Sequence, residues 1–221
     1  MLTGLSHIHK AHFLAAFAED DNFRAPLAVI CDTEGECARL CADINAMTGR
    51  ETAVVYPAKD LMLGDVDSSS REYVRRRLGV LYRMAAGQAD IVCATPEGAS
   101  QLTMPKDILL GLTRTIKSGD TLDLMELAAR LTELGYTRCD QIEGVSQFSV
   151  RGAIFDVFPV NFGAPVRIEM WDDTVDSISV FDIESQRRID TIKSISIAPA
   201  AEIIFDSPTA FSDRLSAFST K

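Results

Sequence analysis

Between residues 26 and 96, three short apolar runs alternate with two stretches of helical period, and this alternation limits the possible folds more than any other feature of the chain. The runs are PLAVICD (26–32), TAVVYP (52–57) and DIVCATP (90–96). Each is apolar at consecutive positions rather than at every second one, the pattern of a strand buried on both faces of a parallel sheet. Between the first two runs, Cys37, Leu40, Cys41, Ile44 and Met47 recur at helical spacing and Gly49 stops the helix. Between the second and third, Val74, Leu78, Leu81 and Tyr82 do the same. Repeated strand–helix–strand units give parallel strands with helical crossovers, so this part is predicted to be α/β with helices against a parallel sheet.

The pattern changes near residue 111. TRTIKSGD leads into a helix that Asp123 caps, with Glu126 three residues on and Leu124, Leu127, Ala128, Leu131 and Leu134 along one face, ending near Gly135. Strand-like segments then follow one another without helices between them: SQFSVRGAIFDVFP, VRIEMW, VDSISVFD and DTIKSISIAP. Short connections between consecutive strands imply an antiparallel sheet. The expectation is an α/β domain at 1–111, completed by 197–221, into which an α+β domain at 112–196 is inserted. The final stretch, SPTAFSDRLSAF, reads as a helix start with Phe211, Leu215 and Phe218 on one face. That face either packs back on the first domain or belongs to a longer protein.

A chain of 221 residues, 47% of them hydrophobic, can bury a full core as one large or two small domains. Its 22 basic and 32 acidic residues leave a net charge of -10, which opposes binding to nucleic acid phosphates unless a local basic patch overrides it. The chain is not expected to bind DNA by itself. It has no apolar run of about 18 residues to span a membrane, and MLTGLSHIHK lacks the basic-then-apolar order of a secretory signal. The five cysteines (Cys31, Cys37, Cys41, Cys93, Cys139) include no C-x-x-C pair and read as buried free thiols of a cytoplasmic protein.

The segment GLSHIHKA matches the spacing of a phosphate-binding loop, with Gly4 in the first position and Lys10 at the phosphate lysine. The glycine before that lysine is His9, whose Cβ obstructs the turn, and the magnesium-binding hydroxyl after it is replaced by Ala11. The residues leave two readings open, a helix start with a chance lysine or a decayed nucleotide loop. His7, His9 and His12 form H-x-H-x-x-H, but no carboxylate or cysteine lies within the same turn to complete a zinc site, so no metal is expected. No Ser/His/Asp order and no recognisable acid pair occurs, so neither a catalytic set nor a cofactor is expected.

VRIEMWDD is the richest local signal. Strand alternation puts Val166, Ile168 and Met170 on a core face and Arg167, Glu169 and Trp171 on the opposite, solvent-facing side. Tryptophan and arginine are enriched where interfaces concentrate binding energy. The ordinary alternative has Trp171 covering a helix of its own domain and Arg167 paired with Glu169 or Asp172. Arg71, Arg75, Arg76, Arg77 and Arg83 mostly line the outer face of the second helix, a solvated surface or a contact for DNA or protein.

Five further stretches carry a family resemblance: YPAKDLMLGD, SSSREYVRRRLGVLYRM, LTELGYTRCDQIEGVSQFSVRGAIFDVFPV, PVRIEMWDD and FDIESQRRIDTIKSISIAPA. Together they resemble the N-terminal, UvrB-like module of the bacterial transcription-repair coupling factors (Mfd) over nearly the whole chain. The resemblance implies a UvrB-like domain with a degenerate P-loop, an inserted UvrA-binding domain, and an ATPase motor in distant domains that this chain lacks. It implies UvrA as partner, contacted by Arg151 in the VRG turn, Arg167 in the strand and the aromatic Trp171 just after it. Its members commonly have phenylalanine at this last position. Gly152 could hold a bulge that moves Arg151 to the other face, so Arg151 joins the patch on the resemblance alone. The family also holds this surface against the C-terminal part of the protein, and reaches RNA polymerase and DNA only through domains absent here. Between the DLMLGD segment and SREYVRRRL there is no room for the aromatic β-hairpin with which UvrB grips damaged DNA. The implied function is a UvrA-recruiting adaptor without ATPase activity. The alternatives are a UvrB-like ATP-dependent helicase module with a working loop, or an intramolecular regulatory clamp.

Overall fold

In the computed structural model, residues 3–20, 26–59, 69–202 and 204 are described, with side chains of the second crossover helix described from Tyr73 onward. The expected helix at 207–218 lies outside these residues, as does most of the 197–221 completion, the segment between DLMLGD and SREYVRRRL, and the side chain of Arg71.

The predicted alternation forms a three-stranded parallel sheet of β1 (Leu27–Ile30), β2 (Ala53–Tyr56) and β3 (Ile91–Ala94), in the order β1-β3-β2. Helix α1 (His7–Ala18) and helix α2 (Glu34–Thr48) cover one face, where Ala11, Ala15, Cys37, Leu40, Cys41 and Ile44 meet Ala53, Ile91 and Cys93. Helix α3 (Ser69–Ala85) covers the other, after which come the short α4 (Pro96–Ser100) and α5 (Lys106–Leu112). There Leu78, Leu81, Tyr82 and Leu109 pack on Val54, Tyr56, Val92 and Ala94. The Thr33 hydroxyl caps α2 by accepting from the Glu36 amide at 3.1 Å, and Gly49 ends the helix in the left-handed region with φ +68.

The packing corrects one expectation. PLAVICD is not buried on both faces: Leu27 and Val29 pack with α1 and α2, while Ala28 and Ile30 on the opposite side are exposed, the latter at 56%. The thiol expectation holds for Cys31, Cys37, Cys41 and Cys93, which are buried, whereas Cys139 is only half-buried.

The chain continues through β4 (Arg114–Lys117) and α6 (Leu124–Glu133). Asp123 caps α6 as expected, accepting from the amides of Met125 at 2.7 Å and Glu126 at 3.2 Å. A six-stranded sheet follows, built from β5 (Thr137–Arg138), β6 (Gln147–Arg151), β7 (Ile154–Val157), β8 (Val166–Trp171), β9 (Thr174–Phe181) and β10 (Arg188–Ile192) in the order β10-β9-β8-β7-β6-β5. It is antiparallel apart from the short β5–β6 pair, which is parallel. The apolar face of α6 packs on it through Leu127, Ala128 and Leu131 against Phe148, Phe155, Ile168 and Ile178. DTIKSISIAP does not stay in this sheet. After Ile192 the chain leaves it and forms β11 (Ser194–Ile197), antiparallel to β4 from Arg114↔Ile197 to Lys117↔Ser194.

The two sheets share a seam. The Tyr136 hydroxyl donates to the Ala198 carbonyl at 2.8 Å, and Ala198 itself packs in the core under α3. The α3 backbone at Gly79 presses on the segment after β7 so closely that an added Cβ would sit 2.6 Å from the Val160 carbonyl oxygen. Arg77, expected on the outer face of α3, is instead fully buried in this region. It donates to the Pro57 carbonyl at 2.5 Å, the Tyr56 hydroxyl at 2.5 Å, Gln101 at 3.1 Å and Glu202 at 2.8 Å, and its guanidinium lies 4.3 Å from the centre of the Tyr56 ring. Lys59 pairs with the same Glu202. Burial was obligatory for this arginine once Val74, Leu78 and Leu81 turned inward, because its Cα lies between theirs on the helix. Of the remaining arginines, Arg76 is exposed and Arg83 pairs with Glu51 at 2.9 Å.

Candidate protein-binding surface

The face of the six-stranded sheet turned away from α6 carries two successive rows set by register. Ser149, Asp156, Arg167 and Ser179 lie across one row, and Arg151, Ile154, Glu169 and Ser177 across the next. Trp171 stands beyond the second row, at the end of β8. Gly152, with φ +58, sits in the two-residue β6–β7 turn, and Arg151 still pairs with Ile154, so it shares the face of Arg167. The one irregularity nearby lies between β8 and β9, where Asp176 is the extra residue between the Glu169↔Ser177 and Met170↔Val175 pairs.

Asp156 is the centre of the cluster. Its carboxylate is 3% exposed and accepts from Arg167 Nε at 2.7 Å, from Arg167 Nη2 at 2.9 Å and from Arg151 Nη2 at 2.6 Å. Arg167 is therefore not the open, solvent-facing side chain that alternation suggested, nor is it paired with Glu169 or Asp172. Only 18% of its side chain is exposed. It also donates to the Gln186 side-chain oxygen at 3.1 Å and to the Gln186 carbonyl at 3.4 Å, and it lies 4.6 Å from the centre of the Phe181 ring. The hydrogen bond to Asp156 raises its pKa above the ordinary arginine value, against the smaller opposing effect of burial.

Gln186 is held for this purpose by a tight loop. Ser185 donates to Asp182 from both its amide, at 2.8 Å, and its hydroxyl, at 2.6 Å, and Gln186 takes a left-handed φ of 59. Arg151 differs from Arg167 in being 46% exposed, and Glu169 is tied to Ser177 at 2.6 Å and to Arg188. Trp171 touches none of this network by hydrogen bond and is 79% exposed, so it covers no helix of its own domain. Parity put Trp171 and Arg167 on one face of β8, as the register does. It gave no sign of Asp156, Phe181 and Gln186, although a lone acid inside the apolar run AIFDVF, opposite Arg167 in a hairpin register, is a legible signal for Asp156.

The other expected positions lie apart from this surface. Gly4 has φ +78, and α1 begins three residues later, so His9, Lys10 and Ala11 are all helical. Ala11 is fully buried against α2, while Lys10 reaches Glu36 at 3.8 Å and His7 reaches Asp43 at 3.2 Å. Among the described residues no three His, Cys, Asp or Glu side chains gather where they could hold a metal ion, and no helix is long and apolar enough to cross a membrane.

Residues 115–203 match the family model described as the UvrB interaction domain. Over 204 residues, 92% of this chain and 17% of the relative, the chain is 32% identical to a transcription-repair-coupling factor of Bacillus subtilis (strain 168). It is 30% identical over 213 residues to that of Myxococcus xanthus, covering 93% of this chain and 18% of the relative. With the protein of that name from Staphylococcus aureus (strain Mu50 / ATCC 700699) it shares 28% identity over 204 residues, 92% of this chain and 17% of the relative. The chain thus spans less than a fifth of the length of these relatives. Residues 115–203 are thus similar to a UvrB interaction domain, and almost the whole chain is similar to a part of the transcription-repair-coupling factors.

Proposed function

We propose that the chain is the UvrA-recruiting adaptor module of a transcription-repair coupling factor, and that it meets UvrA through the surface formed by Arg151, Arg167 and Trp171. The observation that carries this reading is Trp171, a large aromatic side chain 79% exposed at the end of a hydrogen-bonded hairpin, on the same sheet face as the arginine–carboxylate cluster. An exposed tryptophan on one face with arginine offers apolar area and planar donors together, the combination that concentrates binding energy at interfaces. The chain has no ATPase activity of its own in this reading. Ala11 is packed into the core and Lys10 faces Glu36, so the frame presents neither a metal-binding hydroxyl nor a lysine free of a carboxylate.

Titration of purified UvrA with the chain tests the proposal. The parent should bind, and Trp171→Ala should lose roughly 2 kcal/mol or more of binding, the scale of an interface hot spot. Its melting temperature should stay where it was. Equal binding by parent and variant would remove Trp171 from the interface, and saturable ATP binding with magnesium in calorimetry would overturn the adaptor reading in favour of a nucleotide-using module.

A further inference from the structure

We infer that Asp156 is the positioning residue of this surface, and that Arg151 rather than Arg167 is the arginine that meets a partner's carboxylate or carbonyl. The inference rests on the proposed docking surface and assigns different tasks to residues that the sequence treats alike. An arginine has five N–H donors in one plane. Arg167 has committed four of these geometrically, through Nε and Nη2 to Asp156, Nη2 again to Gln186, and Nη1 to the Gln186 carbonyl. Phe181 lies against the guanidinium. Little of that group is left for another molecule. Arg151, by contrast, gives one Nη2 bond to Asp156 and keeps nearly half its side chain in solvent.

The carboxylate is shared by two cations, so the pair of arginines retains a net positive charge while both side chains lose most of their rotational freedom. A fixed Arg151 forms its bond to a partner without first paying the ordering cost of a long, flexible side chain. Asp156 is too deeply buried to touch a partner itself. Its effect on binding must therefore pass through Arg151. Arg167 is a brace that holds the carboxylate in place, a task that needs the planar fork and not merely a positive charge.

A double-mutant cycle with UvrA tests this. Asp156→Asn keeps the shape of the side chain and removes the shared charge, and should weaken binding by about tenfold in the parent but by less than about twofold in an Arg151→Ala background. Arg151→Lys should retain most of the binding, whereas Arg167→Lys should lose nearly as much as Arg167→Ala. An Asp156→Asn loss of the same size in both backgrounds means that the carboxylate acts on general structure and overturns the inference, as does unimpaired binding by Arg167→Lys. Guanidinium NMR of the free chain gives a readout that needs no partner. The Arg151 Nη group should rotate slowly in the parent and freely in Asp156→Asn. Should that variant fail to fold, a freely rotating Arg151 in the parent would be enough to refute the assignment. If the parent does not bind UvrA at all, the proposed function fails, while the NMR comparison still decides the role of Asp156.

Discussion

Replacing Arg77 with methionine should cost the chain a large part of its stability. The guanidinium is fully buried and serves four acceptors: Pro57 O, Tyr56 Oη, Gln101 Oε1 and Glu202 Oε1. Methionine fills much of the same space but donates nothing. Removing one partner of a buried ion pair costs about 3–5 kcal/mol, because the other charge stays behind without compensation. Two features bring the expectation to the lower part of that range. Lys59 still faces Glu202, and Gln101 keeps its exchange with the Lys59 backbone at 2.6 and 3.1 Å. The expected loss is therefore about 3–4 kcal/mol, out of a total that for most domains is about 5–15 kcal/mol. For a chain of this size that corresponds to a melting temperature lower by about 10 °C. Urea titration followed by far-UV circular dichroism measures the loss, and Arg77→Met combined with Glu202→Leu provides the control. Removing both charges should be less damaging than removing the arginine alone. A loss below about 1 kcal/mol, or strict additivity of the two changes, would refute the claim that this pair is buried and coupled.

Gly79→Ala should destabilise the chain by about 1–3 kcal/mol, since the new methyl would lie 2.6 Å from a backbone carbonyl and α3 must move to admit it; a thermal melt equal to the parent's would show that the contact is loose. Asp123→Ala removes the acceptor for two amides at the start of α6 and should cost about 1 kcal/mol in denaturant titration, with Asp123→Ser recovering most of it. Burial pushes the Cys37 thiol from its ordinary 9.0 up to about 12. The folded chain keeps this thiol neutral while the unfolded chain ionises it first, so its contribution is fully present below pH of about 9 and is lost as pH rises towards about 12. Denaturant titrations at increasing alkaline pH should show falling stability, and Cys37→Ala should flatten that dependence.

The parallel sheet was legible because an apolar run of four to six residues between helical periods leaves few alternatives. The place of β1 at the edge was not. Strand order depends on where the crossovers carry the chain, and nothing within LAVI records which neighbours it has. Arg77 shows a different limit. Its spacing of three from Val74 and four from Leu81 put it on the inward face all along, but its charge argued for solvent, and only the positions of Tyr56, Gln101 and Glu202 reveal what satisfies it. At the candidate surface, alternation along β8 named the correct side for Arg167 and Trp171. The depth of Arg167 was hidden because the cover comes from Gln186, which reaches it only after a left-handed turn nineteen residues downstream. The β5–β6 pairing is parallel over two residues, too short for any pattern to announce.

The antiparallel pairing of β4 with β11 also has a mechanical meaning. The chain enters this region at Arg114 and leaves it at Ile197, and those two residues face each other across the ladder. A pull along the polypeptide would therefore open the pair like a zipper, one rung after another from Arg114↔Ile197 to Lys117↔Ser194, rather than loading all its rungs at once in shear. Ala198 and Ala200, just past Ile197, are also hydrogen-bonded to Tyr136 and Leu134 at 2.8 Å, so these bonds must break before the pull passes to the ladder.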